Sequence, residues 1–161
     1  MYVDTNVIEE AIVGEGEMKD ASRFVLALAD QSFIFCIGST SIRKEILATK
    51  EEELRNLFLD TYKTVIHMQA PVAKEVRRIV SKYIDIIGLK SSDALHLAIA
   101  SFNKADVFLS WNREDIVKAK VIAKIREINQ SLKIPTPEIM TPEEFRRRAR
   151  FTTVGRAVVL F

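Results

Sequence analysis

Ser91-Ser92-Asp93-Ala94-Leu95-His96-Leu97-Ala98-Ile99-Ala100, followed by Val107-Phe108-Leu109 and then Ser110-Trp111-Asn112, is the stretch that decides the fold. Two hydroxyl residues and an acid open a segment whose body is apolar on almost every side, which predicts a helix packed at the centre of the protein. The apolar triplet after it predicts a short buried strand, and the polar residues that follow end it. Helix then strand sets an α/β pattern.

Outward from that stretch the pattern repeats. Tyr2 and Val3 predict a short strand that stops at Asp4-Thr5-Asn6, residues suited to a turn or a helix start. Ala21, Phe24, Val25, Leu28 and Ala29 fall at helical spacing, and Phe33 to Ile37 reads as a strand ended by Gly38. Ser39, Thr40 and Ser41 offer caps for a helix carrying Ile42, Glu45 and Ile46, and Leu54, Leu57 and Phe58 continue into a second helical stretch. Pro71 to Ile84 is the clearest amphipathic helix: its apolar positions repeat at three and four, Lys74, Arg77, Arg78 and Lys82 lie outside, and Gly88 can end it. Asn112, with Asp115 as capping partner, predicts the start of a long helix through Ile116 to Leu132. An extended piece around Ile134 to Ile139 and a proline-led helix start at Thr141-Pro142-Glu143-Glu144 complete the order. Short strands separated by helices predict a three-layer α/β/α sandwich with a short, mainly parallel central sheet, in which ligands bind beyond the carboxyl ends of the strands.

The chain has 161 residues, 48% hydrophobic and 29% charged, with 5 Gly and 4 Pro, which excludes collagen-like, low-complexity and wholly disordered classes. At this length folding buries roughly 70% of the exposed surface of the unfolded chain, so neither metal nor disulfide is needed to hold the core. The one cysteine, Cys36, lies in an apolar run and reads as a small buried hydrophobe. No stretch approaches a membrane span, and the N-terminus lacks a basic region followed by an apolar one, so a cytoplasmic protein without membrane contact is expected. A net charge of +2 is too near balance to argue for nucleic acid by itself.

Oxygen-bearing side chains recur at strand ends and helix starts: Asp4 after the first strand, Asp93 opening the central helix, Asn112 with Glu114 and Asp115 after a later strand, and Glu45 beside Ile42 and Ile46. Carboxylates sharing a cleft repel one another, and a hard divalent cation such as Mg²⁺ or Mn²⁺ compensates them. Each also has a plain explanation: Asp4 as a turn residue, Asp93 in a first helical turn, Asn112 as an N-cap and Glu45 as a solvated helix residue. His96 reads as a packed, hydrogen-bonded histidine, and Trp111 as partly core. With two His and one Cys there is no zinc-ligand spacing. Arg43, Lys44 and Arg113 adjoin the acids in sequence and are candidates for holding phosphate groups.

Four ordered blocks, Tyr2-Val3-Asp4-Thr5-Asn6-Val7, Ser41-Ile42-Arg43-Lys44-Glu45-Ile46, Ser91 to Ala98, and Phe108-Leu109-Ser110-Trp111-Asn112, together with the ending Ile134 to Pro142, resemble PIN-domain ribonucleases, particularly the VapC-type toxins of toxin–antitoxin pairs. The resemblance spans residues 1–145 as one PIN-like domain and leaves 146–161, basic then apolar, as an extension. It implies a metal-dependent endoribonuclease with Asp4, Glu45 and Asp93 as the acidic ligands and Mg²⁺ or Mn²⁺ as the metal. Asn112 matches a fourth position that is often Asp in the family, and the loss of that charge should weaken a second metal site. Thr5, Asn6, Ser92 and Glu114 would support the site. An RNA substrate, a cognate antitoxin and a homodimer are the implied partners, with the apolar tail from Val154 to Phe161 as a possible interface. A catalytically weak PIN-like module that binds RNA or protein is the alternative. A phosphate-handling receiver-type protein ranks last, because Asp4-Thr5-Asn6 lacks a paired acid.

Overall fold

A computed structural model of the chain describes residues 1–151 and 157–159, of which 150, 151 and 157–159 are described through the backbone alone. The elements in order are β1 (Tyr2–Val3), α1 (Thr5–Val13), α2 (Gly16–Asp30), β2 (Ile37–Ser39), α3 (Thr40–Leu47), α4 (Glu52–Val65), β3 (Met68–Ala70), α5 (Lys74–Ile87), α6 (Ser91–Phe102), β4 (Val107–Leu109), α7 (Ala119–Leu132), β5 (Glu138–Met140), α8 (Pro142–Arg148), β6 (Ala149–Phe151) and β7 (Ala157–Val159). Strands β1 to β5 form one parallel sheet in the order β3-β2-β1-β4-β5. The helices pack as two groups, α1, α2, α3, α4 and α8 in one and α5, α6 and α7 in the other, giving an α/β/α sandwich. Strands covered on both faces read as continuous apolar runs, and β1, β2 and β4 are buried at every position.

The order 3-2-1-4-5 places the reversal of chain direction across the sheet between β1 and β4, where Tyr2 registers with Phe108 and Val3 with Leu109. A crevice opens beyond the carboxyl ends of the strands at such a reversal. Helix α6 fills the role read from its sequence: Ala94, His96, Leu97, Ala98, Ile99, Ala100 and Ser101 are all buried, because the helix runs under β2 and β4.

Several boundaries differ from the sequence reading. The second strand is Ile37–Ser39, three residues long, and Phe35 is 57% exposed. The β-rich run before it is the approach to the strand, and pairing begins where the Ile37 amide donates to the Met1 carbonyl. Gly38, expected to end that strand, sits in its middle, where a Cβ would come within 3.0 Å of Ile66 and Tyr62 side-chain atoms. Strand β3 has no β-rich signature, being an edge strand with two of its three residues exposed. The amphipathic helix runs over Lys74–Ile87, with Pro71 outside it, and ends at Gly88 with φ 82°. The long helix begins at Ala119, not at Asn112; residues 113–116 are turns, and Asn112 accepts from the Asp115 amide at 2.9 Å as a turn cap.

Helix α8 carries the expected capping box, Thr141 and Glu144, with Pro142 in its first turn, and it continues past Phe145, which is fully buried, to Arg148. β6 and β7 pair antiparallel, with Ala149 opposite Val159. The side chains of the apolar tail, together with Val154, Leu160 and Phe161 as residues, lie outside what is described.

A buried polar clamp closes the second helical group. Asn129 of α7 accepts from the Tyr83 hydroxyl of α5 at 2.6 Å and donates to Ser101 of α6, the Pro135 carbonyl and Thr136. Removing one member leaves buried partners unpaired. Asn129→Ala is expected to lower the unfolding free energy by about 3 kcal/mol in a denaturant titration.

Candidate active site

Asp4 is placed by two elements at once. Its amide donates to the Leu109 carbonyl as β1 runs out beside β4, and its side chain caps α1 by accepting from the Thr5 amide at 2.8 Å. Its other oxygen accepts from Asn6 Nδ2 at 2.9 Å and from Ser110 Oγ at 2.7 Å. Asn6 also donates to Ser110 Oγ and accepts from the Trp111 amide, so the ends of β1 and β4 are laced together around one carboxylate that is 4% exposed. Asp4 is thus the N-cap of α1 and not simply a turn residue, and it stands in the crevice as well.

Asp93 projects from the first turn of α6, half-buried, and accepts from Asn112 Nδ2 at 3.0 Å. Burial, followed by repulsion from Asp4, raises its carboxyl above the usual range, against the pull of the Asn112 hydrogen bond. Glu45 reaches the same cleft from α3. It is not a solvated helix residue: it accepts from the Thr5 hydroxyl and, at 2.8 Å, from His96 Nε2. Burial would raise its carboxyl, but the hydrogen bonds from His96 and Thr5 outweigh that and hold it below its ordinary value.

Asp4, Thr5, Asn6, Glu9, Glu45, Ser92, Asp93 and His96 line one cleft of about 270 Å³. The three acids that the sequence reading put forward as ligands are thus brought together, with Thr5, Asn6 and Ser92 beside them. Among the described residues four carboxylates and one histidine face the space and no Lys or Arg does, so no permanent cation of that lining meets the negative charge. Glu9 registers this: burial, then Asp4 and Glu45, raise its carboxyl. Among the described residues no three acidic, histidine or cysteine side chains are already gathered into a set that could alone hold a metal ion. Mg²⁺ takes only one or two protein carboxylates and keeps several waters, so the hard oxygens of Asp4 and Asp93, with Glu45 adjoining, suit an ion of that kind.

Sequence reasoning left two lining residues, Glu9 and His96, and one partner of Asp4, Ser110, outside the site. Glu9 lies four residues after Thr5 on α1, a spacing that puts both on one helix face and was there to be read. His96 is packed and hydrogen-bonded, as expected, and it also bonds Glu45 and lines the cleft. Ser110 stands two residues before Asn112 and gave no signal of its own.

Comparison with known proteins adds nothing to this geometry. No model of a known protein family matches the chain, and no curated protein does.

The other predicted residues do not line the cleft. Asn112 links Asp93 to Asp115, and Glu114 lines a neighbouring groove with Lys90, Trp111 and Arg113. Arg113 pairs with Glu143 at 2.7 Å and stands 5.9 Å from the Trp111 ring centre, while Trp111 Nε1 donates to Ser22. Arg43 and Lys44 are exposed on α3. Lys90, unremarked in the sequence, pairs with Asp115 at 2.7 Å and lies within electrostatic reach of Asp93.

The raised carboxyl of Asp93 makes its ionised form a cost to folding. The folded state binds that proton more tightly than the unfolded chain, so the cost is present above the folded pKa and fades as pH falls through it. Asp93→Asn is therefore expected to melt higher than the native chain at pH 7 without metal, with the gain shrinking toward pH 3, as measured by thermal unfolding across that range.

Proposed function

We propose that this protein is a metal-dependent endoribonuclease of the PIN-domain kind, cleaving RNA phosphodiester bonds with Mg²⁺ or Mn²⁺. The observation that carries the reading is the convergence of Asp4, Glu45 and Asp93 from three separate segments into one cleft beyond the carboxyl ends of β1 and β4, with no Lys or Arg lining it among the described residues. The order of the sequence blocks that resemble the family supports it.

A divalent cation held there would activate a water and offset the charge that builds on the phosphorus oxygens in the transition state. Asp4 and Asp93 would hold it, Asp4 being fixed by donors from Thr5, Asn6 and Ser110, and Asp93 by the Asn112 amide. Glu45, gripped from both sides by Thr5 and His96, keeps an orientation toward the same space. The lining repels an incoming phosphate, so the backbone of the RNA needs cations beyond it; Lys90 and Arg113 in the neighbouring groove, with Arg43 and Lys44 exposed on the helix that carries Glu45, would supply them.

One observation favours the weaker alternative, a PIN-like module that binds RNA or protein with little turnover. Both ends of the Asn112 amide are engaged inside the protein, Nδ2 with Asp93 and Oδ1 with the Asp115 amide, and it brings no charge to the cleft.

The proposal extends to a toxin restrained by an antitoxin segment in the cleft, and to a homodimer that uses the tail. If the tail serves the dimer, a chain truncated after Arg150 has a lower mass in solution by light scattering than the full chain; an unchanged mass removes that role.

Cleavage of structured and single-stranded RNAs with Mn²⁺, Mg²⁺ or EDTA tests the central reading. Cleavage is expected with either metal, is abolished by EDTA, and falls on the order of 100-fold or more in Asp93→Asn. A folded chain that binds Mn²⁺ without cleaving, and gains cleavage on Asn112→Asp, is the outcome expected of the weak module.

A further inference from the structure

Glu45 is the end of a closed circuit of hydrogen bonds. Ser39 Oγ accepts from the Ile42 amide at 3.3 Å and so caps α3, the helix that carries Glu45. The same oxygen meets the Tyr2 hydroxyl at 2.9 Å, that hydroxyl meets His96 Nδ1 at 2.7 Å, and His96 Nε2 meets Glu45 Oε1 at 2.8 Å. The circuit leaves α3 at its cap, crosses β1 and α6, and returns to α3. Ser39, Tyr2 and His96 are each at most 2% exposed, so water does not compete with the bonds among them, while Glu45 is half-buried at the cleft end.

The chemistry of the partners orders the hydrogens. An ionised carboxylate only accepts, so the nitrogen facing Glu45 carries the hydrogen whether the ring is neutral or charged. A nitrogen that carries a hydrogen has no lone pair to offer a cation. His96 is thus excluded as a ligand through the one nitrogen that faces the cleft, and its other nitrogen is turned into the core toward Tyr2. The Tyr2 hydroxyl can donate or accept, which lets it serve Nδ1 in either charge state. Its ring is in turn fixed by stacking on Phe108, with centroids 5.6 Å apart and planes within 10°.

We infer that Tyr2 and His96 are positioning residues, a buried relay that sets the direction of the Glu45 carboxylate toward a cation in the cleft. This rests on the reading of the cleft as a divalent-cation site. The relay ties Glu45 to β1, the strand that also delivers Asp4, so the two carboxylates keep a constant relation although they lie on different helices' ends. Outer partners of this kind are worth roughly 10- to 100-fold in metal affinity or activity.

The test uses the full chain and three substitutions, Tyr2→Phe, His96→Leu and His96→Gln, with Mn²⁺ affinity by calorimetry, kcat and KM on one RNA, and thermal unfolding. Tyr2→Phe and His96→Leu are expected to fold, to bind Mn²⁺ roughly 10- to 100-fold more weakly, and to lower kcat with KM for RNA unchanged. His96→Gln, which still carries an N–H toward Glu45, is expected to recover part of the loss. Should His96→Leu not fold, Tyr2→Phe decides, since it removes one oxygen and keeps the ring stack. Folded Tyr2→Phe with native Mn²⁺ affinity and native kcat overturns the relay, as does His96→Gln no better than a folded His96→Leu. A native chain that binds Mn²⁺ but cleaves nothing defeats the nuclease reading alone, and the Mn²⁺ comparison still decides the relay. A native chain that binds no Mn²⁺ overturns both.

Discussion

The carboxylate of Asp4 is the constraint on which the rest of the molecule depends. It sits where β1 stops, caps the helix that follows, and takes hydrogen bonds from both sides of the gap between β1 and β4. A buried carboxylate is expensive unless donors surround it, and each donor here also holds a backbone junction in place. The contacts that hold the charge in the crevice are thus the ones that tie the ends of β1 and β4 together.

The remaining acids are handled differently, and the difference is electrostatic. Glu45 is stabilised in its charged form by an imidazole and a hydroxyl, while Asp93 and Glu9 are driven toward their neutral forms by burial and by Asp4. One acid of the cluster is thus held in its charged form by neighbouring donors, and two are disfavoured in theirs. The neutral amide of Asn112 is part of that balance, because it donates to Asp93 at the place where another carboxylate would repel it.

Much of the fold was legible because its signals are local. The all-apolar body of α6, the caps at Ser39 and Thr141, and the glycine at position 88 act over a few residues and declare themselves in a few residues. Where the reading slipped, a non-local partner decided. Strand β2 starts where Met1 supplies a carbonyl, β3 exists because β2 gives it an edge, and Asn112 caps a run of turns tied to Asp93, with α7 starting only at Ala119. Short strands are most exposed to this effect, since three residues hold little propensity of their own.

The sequence by itself determined the class of the fold, the residues that open α3, α6 and α8, and the set of acids that chain order can bring to one end of a parallel sheet. Only the tertiary structure decided that Asp4, Glu45 and Asp93 share a cleft, that Glu9 and His96 join them, and that Glu114, Arg43, Lys44 and Arg113 stand outside it. The physical reason is range. Capping and amphipathic periodicity are written along one segment, whereas the field on a carboxylate and the partner of a buried imidazole depend on elements 51 residues apart in the chain, as His96 and Glu45 are.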